Sequence, residues 1–306
     1  MNLKKFNLKY QFLLLLSAAF WGASFIFTKG LFLTEPHATT LIIVSGRLLI
    51  ATLVGIPFLW LSGRLQPIRR KDFVFFMALS FAEPFLYSLC ETSGVQYVSG
   101  SLASIIVATI PLFVPFAMAM VYKERIRINA IIGIVLSMVG IAMMIFEKGM
   151  HLSASPKGIL FLCGAVVIAV AYTLMLVRIL EHYHPMTITV YQNLFSLVYF
   201  IPLVLIKDAA AIPLLSFSWG MIGRLAFLGI FCSTVAYMCF NYGMRAVGAT
   251  AGSVYNNLIP VFSLILAVAI GQESISLPKI AGMAVVLAGL FIAQRNKSNN
   301  GALKEA

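Results

Sequence analysis

The chain has 306 residues, of which 61% are hydrophobic and only 10% charged, with a mean hydropathy of +0.97. A water-soluble globule carries about 25% charged residues, so that class is excluded. The formal charge of +12, from 22 Lys and Arg against 10 Asp and Glu, comes with no basic stretch interleaved with aromatics, which argues against nucleic acid as a partner and for membrane topology. A span uses about 20 apolar residues, so ten spans take roughly 200 positions and leave no room for a large soluble domain.

Lys4, Lys5 and Lys9 before an apolar run imitate a signal peptide. The run 10–28, however, has no convincing small-x-small exit and reads as an uncleaved first helix. Further spans are predicted at 38–61, 73–91, 98–121, 129–146, 158–177, 186–206, 219–242, 247–270 and 277–293. Cys90, Cys163, Cys232 and Cys239 all fall inside apolar runs, where there is no outer loop for a disulfide to staple. With the N-terminus in the cytoplasm, most Lys and Arg lie in inner loops and tails, so both termini are expected inside, in a bacterial inner membrane.

Sliding the chain against itself by 149 residues without a gap aligns Cys90 with Cys239, Gly94 with Gly243, Pro111 with Pro260 and Glu124 with Glu273. The same offset pairs Gly133 with Gly282 and Gly140 with Gly289. Composition does not explain one offset recovering Pro, Glu and several Gly pairs. The expected fold is an all-α integral membrane protein of ten transmembrane helices in two five-helix repeats, 1–150 and 151–306. Because five is odd, the second copy enters the membrane from the opposite side, and such inverted repeats build alternating access around a central site. Glu124 is then expected at the cytoplasmic face and Glu273 at the outer face.

Trp21-Gly22-Ala23-Ser24-Phe25 with Lys29, Arg47-Leu48-Leu49, and Pro111 followed by Lys123-Glu124-Arg125-Ile126 recur in order with Asn257-Leu258-Ile259-Pro260 and Gly271-Gln272-Glu273-Ser274-Ile275. In these motifs the chain resembles the ten-helix EamA type within the drug/metabolite transporter superfamily, over about residues 12 to 293. Ala171-Tyr172 stands where that family has Trp-Ala. The resemblance implies export or exchange of small metabolites and names no single substrate.

A charge at a helix centre costs about 2.5 to 3.5 kcal/mol on insertion scales, so such groups are paired or face water or substrate. Arg47 and Glu83 are each expected near mid-membrane, at matching depth. Two readings stand: a structural ion pair locking the second and third spans, or a titrating Glu83 and an Arg47 that meets a substrate carboxylate. As the only acid near mid-span, Glu83 is either ionised beside Arg47 with facilitated diffusion, which the matching depths favour, or a proton carrier. Glu83, Tyr87 and Glu91 form a stripe of spacing four that suits a cavity wall, with Glu91 read as an interfacial residue.

Tyr237 and Asn241 in the eighth span, and Tyr255, Asn256 and Asn257 before Pro260 in the ninth, are further candidates for substrate binding. Adjacent Asn256 and Asn257 point about 100° apart, so one faces the cavity and the other a neighbouring helix. Pro111 and Pro260 are expected to bend their spans, either to shape the cavity or for packing alone. Trp21 and Ser24 in the first span and Gln192 and Asn193 in the seventh suit a cavity wall or packing equally. The Gly stripes read as packing or a dimer seam.

Catalytic motifs are missing: there is no His-Glu-x-x-His, Gly-x-Ser-x-Gly or Gly-rich phosphate loop. Glu181-His182-Tyr183-His184 lacks the further ligands and fixed geometry that a metal needs. The chain is therefore expected to have no enzyme activity, cofactor or metal, no ATPase partner, a small-molecule substrate, a lipid bilayer around it, and a monomeric or weakly homodimeric state. Amino acids or related compounds lead the substrates, moved by alternating access through a midplane cavity. The competing readings are a flippase for a lipid or lipid-linked carrier, which needs a lateral opening, and a membrane enzyme or receptor without transport.

Overall fold

The computed structural model describes residues 8–63, 65–122, 128–147, 151–152, 155–247, 254–274 and 276–294. Glu124 lies outside them, and with it the expected sidedness of the Glu124 and Glu273 pair. The described chain is all-helical with short connecting turns, and the one pairing of extended backbone joins Phe146–Glu147 (β1) to His151–Leu152 (β2).

Six helices are long and apolar enough to cross a membrane: α1 (Leu8–Thr34), α2 (Thr40–Leu61), α3 (Arg70–Tyr97), α7 (Pro156–Leu180), α8 (Pro185–Lys207) and α9 (Trp219–Ala246). The other expected spans fall on shorter helices: α4 (Gly100–Val107) with α5 (Ile110–Tyr122), α6 (Ile128–Ile145), α10 (Ile259–Ala269) and α11 (Leu277–Gln294). Their starts are written in the sequence. The hydroxyls of Thr39, Ser99 and Ser218 accept the N–H groups of Ile42, Leu102 and Met221, capping α2, α4 and α9. Proline opens α7, α8 and α10, where its missing N–H is harmless.

Pro111 and Pro260, expected to bend continuous helices, stand instead in the first turns of α5 and α10, each just after a break. A ring that clashes one turn back is best accommodated by restarting the helix. Large apolar side chains such as Leu53, Leu160, Val167 and Ile206 stay more than 60% exposed on long helices, which suits a lipid surround and not water.

The offset of 149 residues recurs in the helix bounds. Trp219–Ala246 lies 149 residues after Arg70–Tyr97 at both ends, and Leu277–Gln294 lies 149 after Ile128–Ile145. α6 packs along α11, α3 along α7, α1 along α9, and α2 along α8. At the first of these crossings a Cβ on Gly140 would lie 2.6 Å from the Gly282 carbonyl oxygen, and one on Gly289 2.7 Å from that of Gly133. The two glycine stripes therefore face each other inside one chain, which removes the dimer-seam reading.

Candidate functional site

Two of the long helices are interrupted half-way, at equivalent places. In α3 the segment Phe81–Leu86 widens into a π-turn in which Glu83 takes extended dihedrals of φ −146° and ψ 128°. In α9 the segment Leu228–Val235 widens likewise. Pro84 has no N–H to give the Ser80 carbonyl one turn back, and the Ser196 hydroxyl donates there at 3.1 Å. Carbonyls released from a helix inside a membrane need partners from other elements. Gln192 Nε2 donates to the Glu83 carbonyl at 2.9 Å and Asn193 Nδ2 to the Ser233 carbonyl at 3.1 Å. Trp21 Nε1 donates to the Cys232 carbonyl at 3.3 Å. Cys232 is 149 residues after Glu83, so the same carbonyl is capped in both halves. Tyr172, at the position where the sequence leaves the family motif, donates to Gln192 Oε1 at 3.3 Å and steadies that amide.

Between the interruptions lies a cavity of about 10 Å³ lined by Arg47, Leu48, Glu83, Thr189, Gln192, Asn193, Ser233 and Tyr237. That is room for roughly one water, far below the 300 to 1,000 Å³ of ligand pockets, so a substrate requires the helices to part. Arg47 and Glu83 are 5% and 6% exposed and share this cavity. They form no ion pair: Glu273 with Lys279 is the one ion pair among the described residues. Arg47 Nη2 donates instead to Ser88 Oγ at 2.8 Å, while its Nε–H and the Ser233 hydroxyl have no hydrogen-bond partner. The Glu83 carboxylate accepts from the Tyr237 hydroxyl. Counting residues along a helix gave the depth of the two charges, but the extended backbone at Glu83 sets the direction of its side chain.

Glu91 corrects a second expectation. It is 8% exposed and accepts from the Tyr87 hydroxyl at 2.7 Å, four residues back, so it faces the protein and not the headgroups. α3 then buries two carboxylates, Glu83 and Glu91.

The remaining candidates divide. The Trp21 ring stands 5.0 Å from that of Tyr237 and 4.9 Å from that of Phe240, backing the residue that holds Glu83. Asn241 donates to Thr189 Oγ1 at 3.1 Å and so sits one layer behind the lining. Ser24 donates to the Trp21 carbonyl of its own helix at 2.7 Å. Tyr255, Asn256 and Asn257 occupy a short 3-10 turn, Val254–Leu258, before α10 and do not line the cavity. Sequence reasoning missed Ser88, Thr189 and Ser233; small hydroxyl residues are common in helix packing and carry little signal alone.

Both ends of the bundle are clasped. At one end Glu35 accepts from Ser216 Oγ at 2.5 Å and Ser218 Oγ at 3.3 Å, while Arg224 Nη1 reaches the Gly30 carbonyl at 3.0 Å. Lys29 caps the last carbonyls of α3, Val95 at 3.2 Å and Gln96 at 3.0 Å, and Glu273 caps the start of α4 at the Ser101 N–H at 3.1 Å. At the other end the Tyr183 hydroxyl donates to Asp72 at 2.7 Å and accepts from the Arg69 N–H at 3.1 Å. There the His184 N–H donates to Gln66 Oε1 at 2.7 Å. His184 lies 149 residues after Glu35. Among the described residues no group of three or more His, Cys, Asp or Glu could hold a metal ion.

The Ser216 hydroxyl, helped by the Ser216 and Ser218 donors and the Arg224 charge, holds the Glu35 carboxyl below its ordinary range against partial desolvation. A depressed folded-state pKa stabilises above the unfolded value and loses that stabilisation as pH falls through the folded one. Thermal unfolding of the purified protein should therefore drop more steeply below about pH 4 than that of Glu35→Gln, which should be the less stable of the two at pH 7. Parallel pH profiles for the two proteins would refute the assignment.

Comparison with known proteins gives these features a context. The sequence model of the EamA-like transporter family matches residues 8–146 and again 156–294. The uncharacterized transporter YetK of Bacillus subtilis is 25% identical over 85% of this chain and 80% of its own length. An uncharacterized transporter of Archaeoglobus fulgidus is 27% identical over 95% of this chain and 100% of its own. The inner membrane protein YtfF of Escherichia coli is 24% identical over 92% and 94%. A solved crystal structure superposes with a TM-score of 0.64 at 17% identity, covering 90% of this chain and 97% of that one, which shows likeness of fold. With two family domains matched over most of its length, this multi-pass membrane protein belongs to the EamA-like transporter family.

Proposed function

We propose that the protein is a secondary transporter that exports or exchanges small metabolites, amino acids or related compounds first among them, by alternating access through the midplane cavity. The observation that carries this reading is a small cavity lined mostly by polar residues, set where α3 and α9 are both interrupted and closed off by clasps at both ends. Interrupted helices around a midplane site are how transporters bring backbone and side-chain polar groups to a substrate inside a bilayer. The offset of 149 residues between helix bounds supports ten spans in two repeats, 1–150 and 151–306. Five spans per copy make the copies inverted, with the Glu35 end outside and the His184 end and both termini in the cytoplasm. The name of the Escherichia coli relative favours an inner membrane. The protein works as a monomer or weak homodimer, without enzyme chemistry.

Purified protein in proteoliposomes tests the reading by counterflow. Vesicles loaded with one unlabelled solute at a time, from a panel of amino acids, amines, organic acids, nucleosides and sugars, should take up the matching labelled solute faster than empty vesicles. Uptake that no internal solute stimulates, across the whole panel, would defeat the transporter reading.

A further inference from the structure

We infer that the cavity between α2, α3, α8 and α9 is a two-pole site for a zwitterion, in which Arg47 and the Ser233 hydroxyl take a carboxylate and Glu83 takes an ammonium group. The substrate class is then the amino carboxylates with both groups free. The inference rests on the transport reading above and assigns the atoms that recognise the substrate.

Opposite formal charges line one cavity, each more than nine-tenths buried, and are not bonded to each other. Buried charges are ordinarily paired, because desolvation without a counter-charge is costly. Here each charge has a neutral partner only. Ser88 takes one N–H of Arg47, and Tyr237 donates to Glu83. The guanidinium keeps its Nε–H unpartnered, and so does the Ser233 hydroxyl on the same lining. A carboxylate satisfies both donors and matches the planar geometry of a guanidinium. A carboxylate has about four lone-pair sites, so the single bond from Tyr237 leaves Glu83 able to accept from an ammonium group.

Each simpler ligand leaves one pole without a charged partner. A monoamine would leave the guanidinium donors unmet. A carboxylate without an amine would stand beside the Glu83 carboxylate in one cavity and leave it with the Tyr237 hydroxyl as its partner. A zwitterion adds no net charge and supplies each pole with its opposite. At about 10 Å³ the cavity is too small for it in this form, so binding accompanies separation of α2 and α3 from α8 and α9.

The test uses the full-length protein, with counterflow in proteoliposomes and ligand-induced thermal stabilisation in detergent. The twenty standard amino acids are screened first, beside nucleosides, sugars and simple amines. The best amino acid is then compared with its amide, which lacks the carboxylate, and its deaminated acid, which lacks the ammonium group. Both analogues should bind at least tenfold more weakly than the amino acid, which ligand-linked stabilisation reads directly. Arg47→Gln should abolish the preference over the amide and keep that over the deaminated acid; Glu83→Gln should do the reverse. A purely structural role for either residue would weaken all three ligands alike. If a variant does not fold, the analogue comparison on the unaltered protein still decides. Amides or deaminated acids within threefold of the amino acid overturn the inference, and so does exchange confined to uncharged solutes or amines, although transport then stands. Exchange of no solute at all defeats transport and the two-pole site together.

Discussion

Bridging Gln66 to His184 with a short bifunctional thiol reagent, after placing single cysteines at both positions in a background without Cys90, Cys163, Cys232 and Cys239, abolishes counterflow in proteoliposomes. Bridging Glu35 to Ser216 does the same from the other end. Each pair is already joined by a hydrogen bond, Gln66 Oε1 to the His184 N–H at 2.7 Å and Glu35 to Ser216 Oγ at 2.5 Å, so the reagent is asked to make permanent a contact that exists. Alternating access needs each clasp to open once per cycle, and fixing either one should lower the rate by roughly tenfold or more, since opening steps gate turnover in such machines. A cleavable reagent restores transport on reduction and shows that the loss is mechanical. Full counterflow with either bridge complete would mean that the clasp at that end is not a gate. A flippase with a lateral groove would tolerate at least one of the two bridges, so the pair of results also separates those classes.

What the sequence disclosed about this molecule depended on whether depth or direction was needed. Apolar runs located the helices, and a self-alignment at 149 residues anticipated that α3 and α9 share bounds and that α6 and α11 do so too. Depth along a helix is a count of residues, so Arg47 and Glu83 were legible as neighbours of one mid-helix layer. Direction is not a count once the helix is interrupted. The extended backbone at Glu83 turns its side chain to Tyr237, and the ion pair anticipated from matching depths does not form.

Glu91 illustrates an error of boundary. Read as the last residue of a span over 73–91, it belonged at the headgroups, but α3 runs on to Tyr97, six residues or about 9 Å further. Asn256 and Asn257 were costly amides in an apolar run, and cost alone says that a partner or cavity is needed, not which cavity. The adjacent amides Gln192 and Asn193 carry a more specific signal. Two amides on successive positions cannot serve one helix face, and in the fold they serve two interruptions, one in each half.

Gly140→Leu should prevent α6 and α11 from packing, and even Gly140→Ala should destabilise the folded protein by about 1 to 3 kcal/mol, the range for overfilled packing. The reason is what the new atom would meet. A Cβ at Gly140 would lie 2.6 Å from the Gly282 carbonyl oxygen and 2.8 Å from the Val286 amide nitrogen, both backbone atoms that cannot rotate aside. Gly289→Ala should behave alike, with 2.7 Å to the Gly133 carbonyl oxygen and 3.0 Å to the Ser137 amide nitrogen. Because both substitutions push apart one crossing, the double variant should lose less than the sum, a coupling that distant sites do not show. Gly223, inside α9, meets nothing within 4 Å, and Gly223→Ala should gain roughly 0.5 to 1 kcal/mol from the more restricted unfolded chain. Unfolding in mixed micelles at several protein concentrations measures all five variants. A loss at Gly140 that grows on dilution would restore the seam between copies that the fold excludes. A Gly140→Ala protein as stable as Gly223→Ala would show that the crossing has slack which the 2.6 Å approach does not allow.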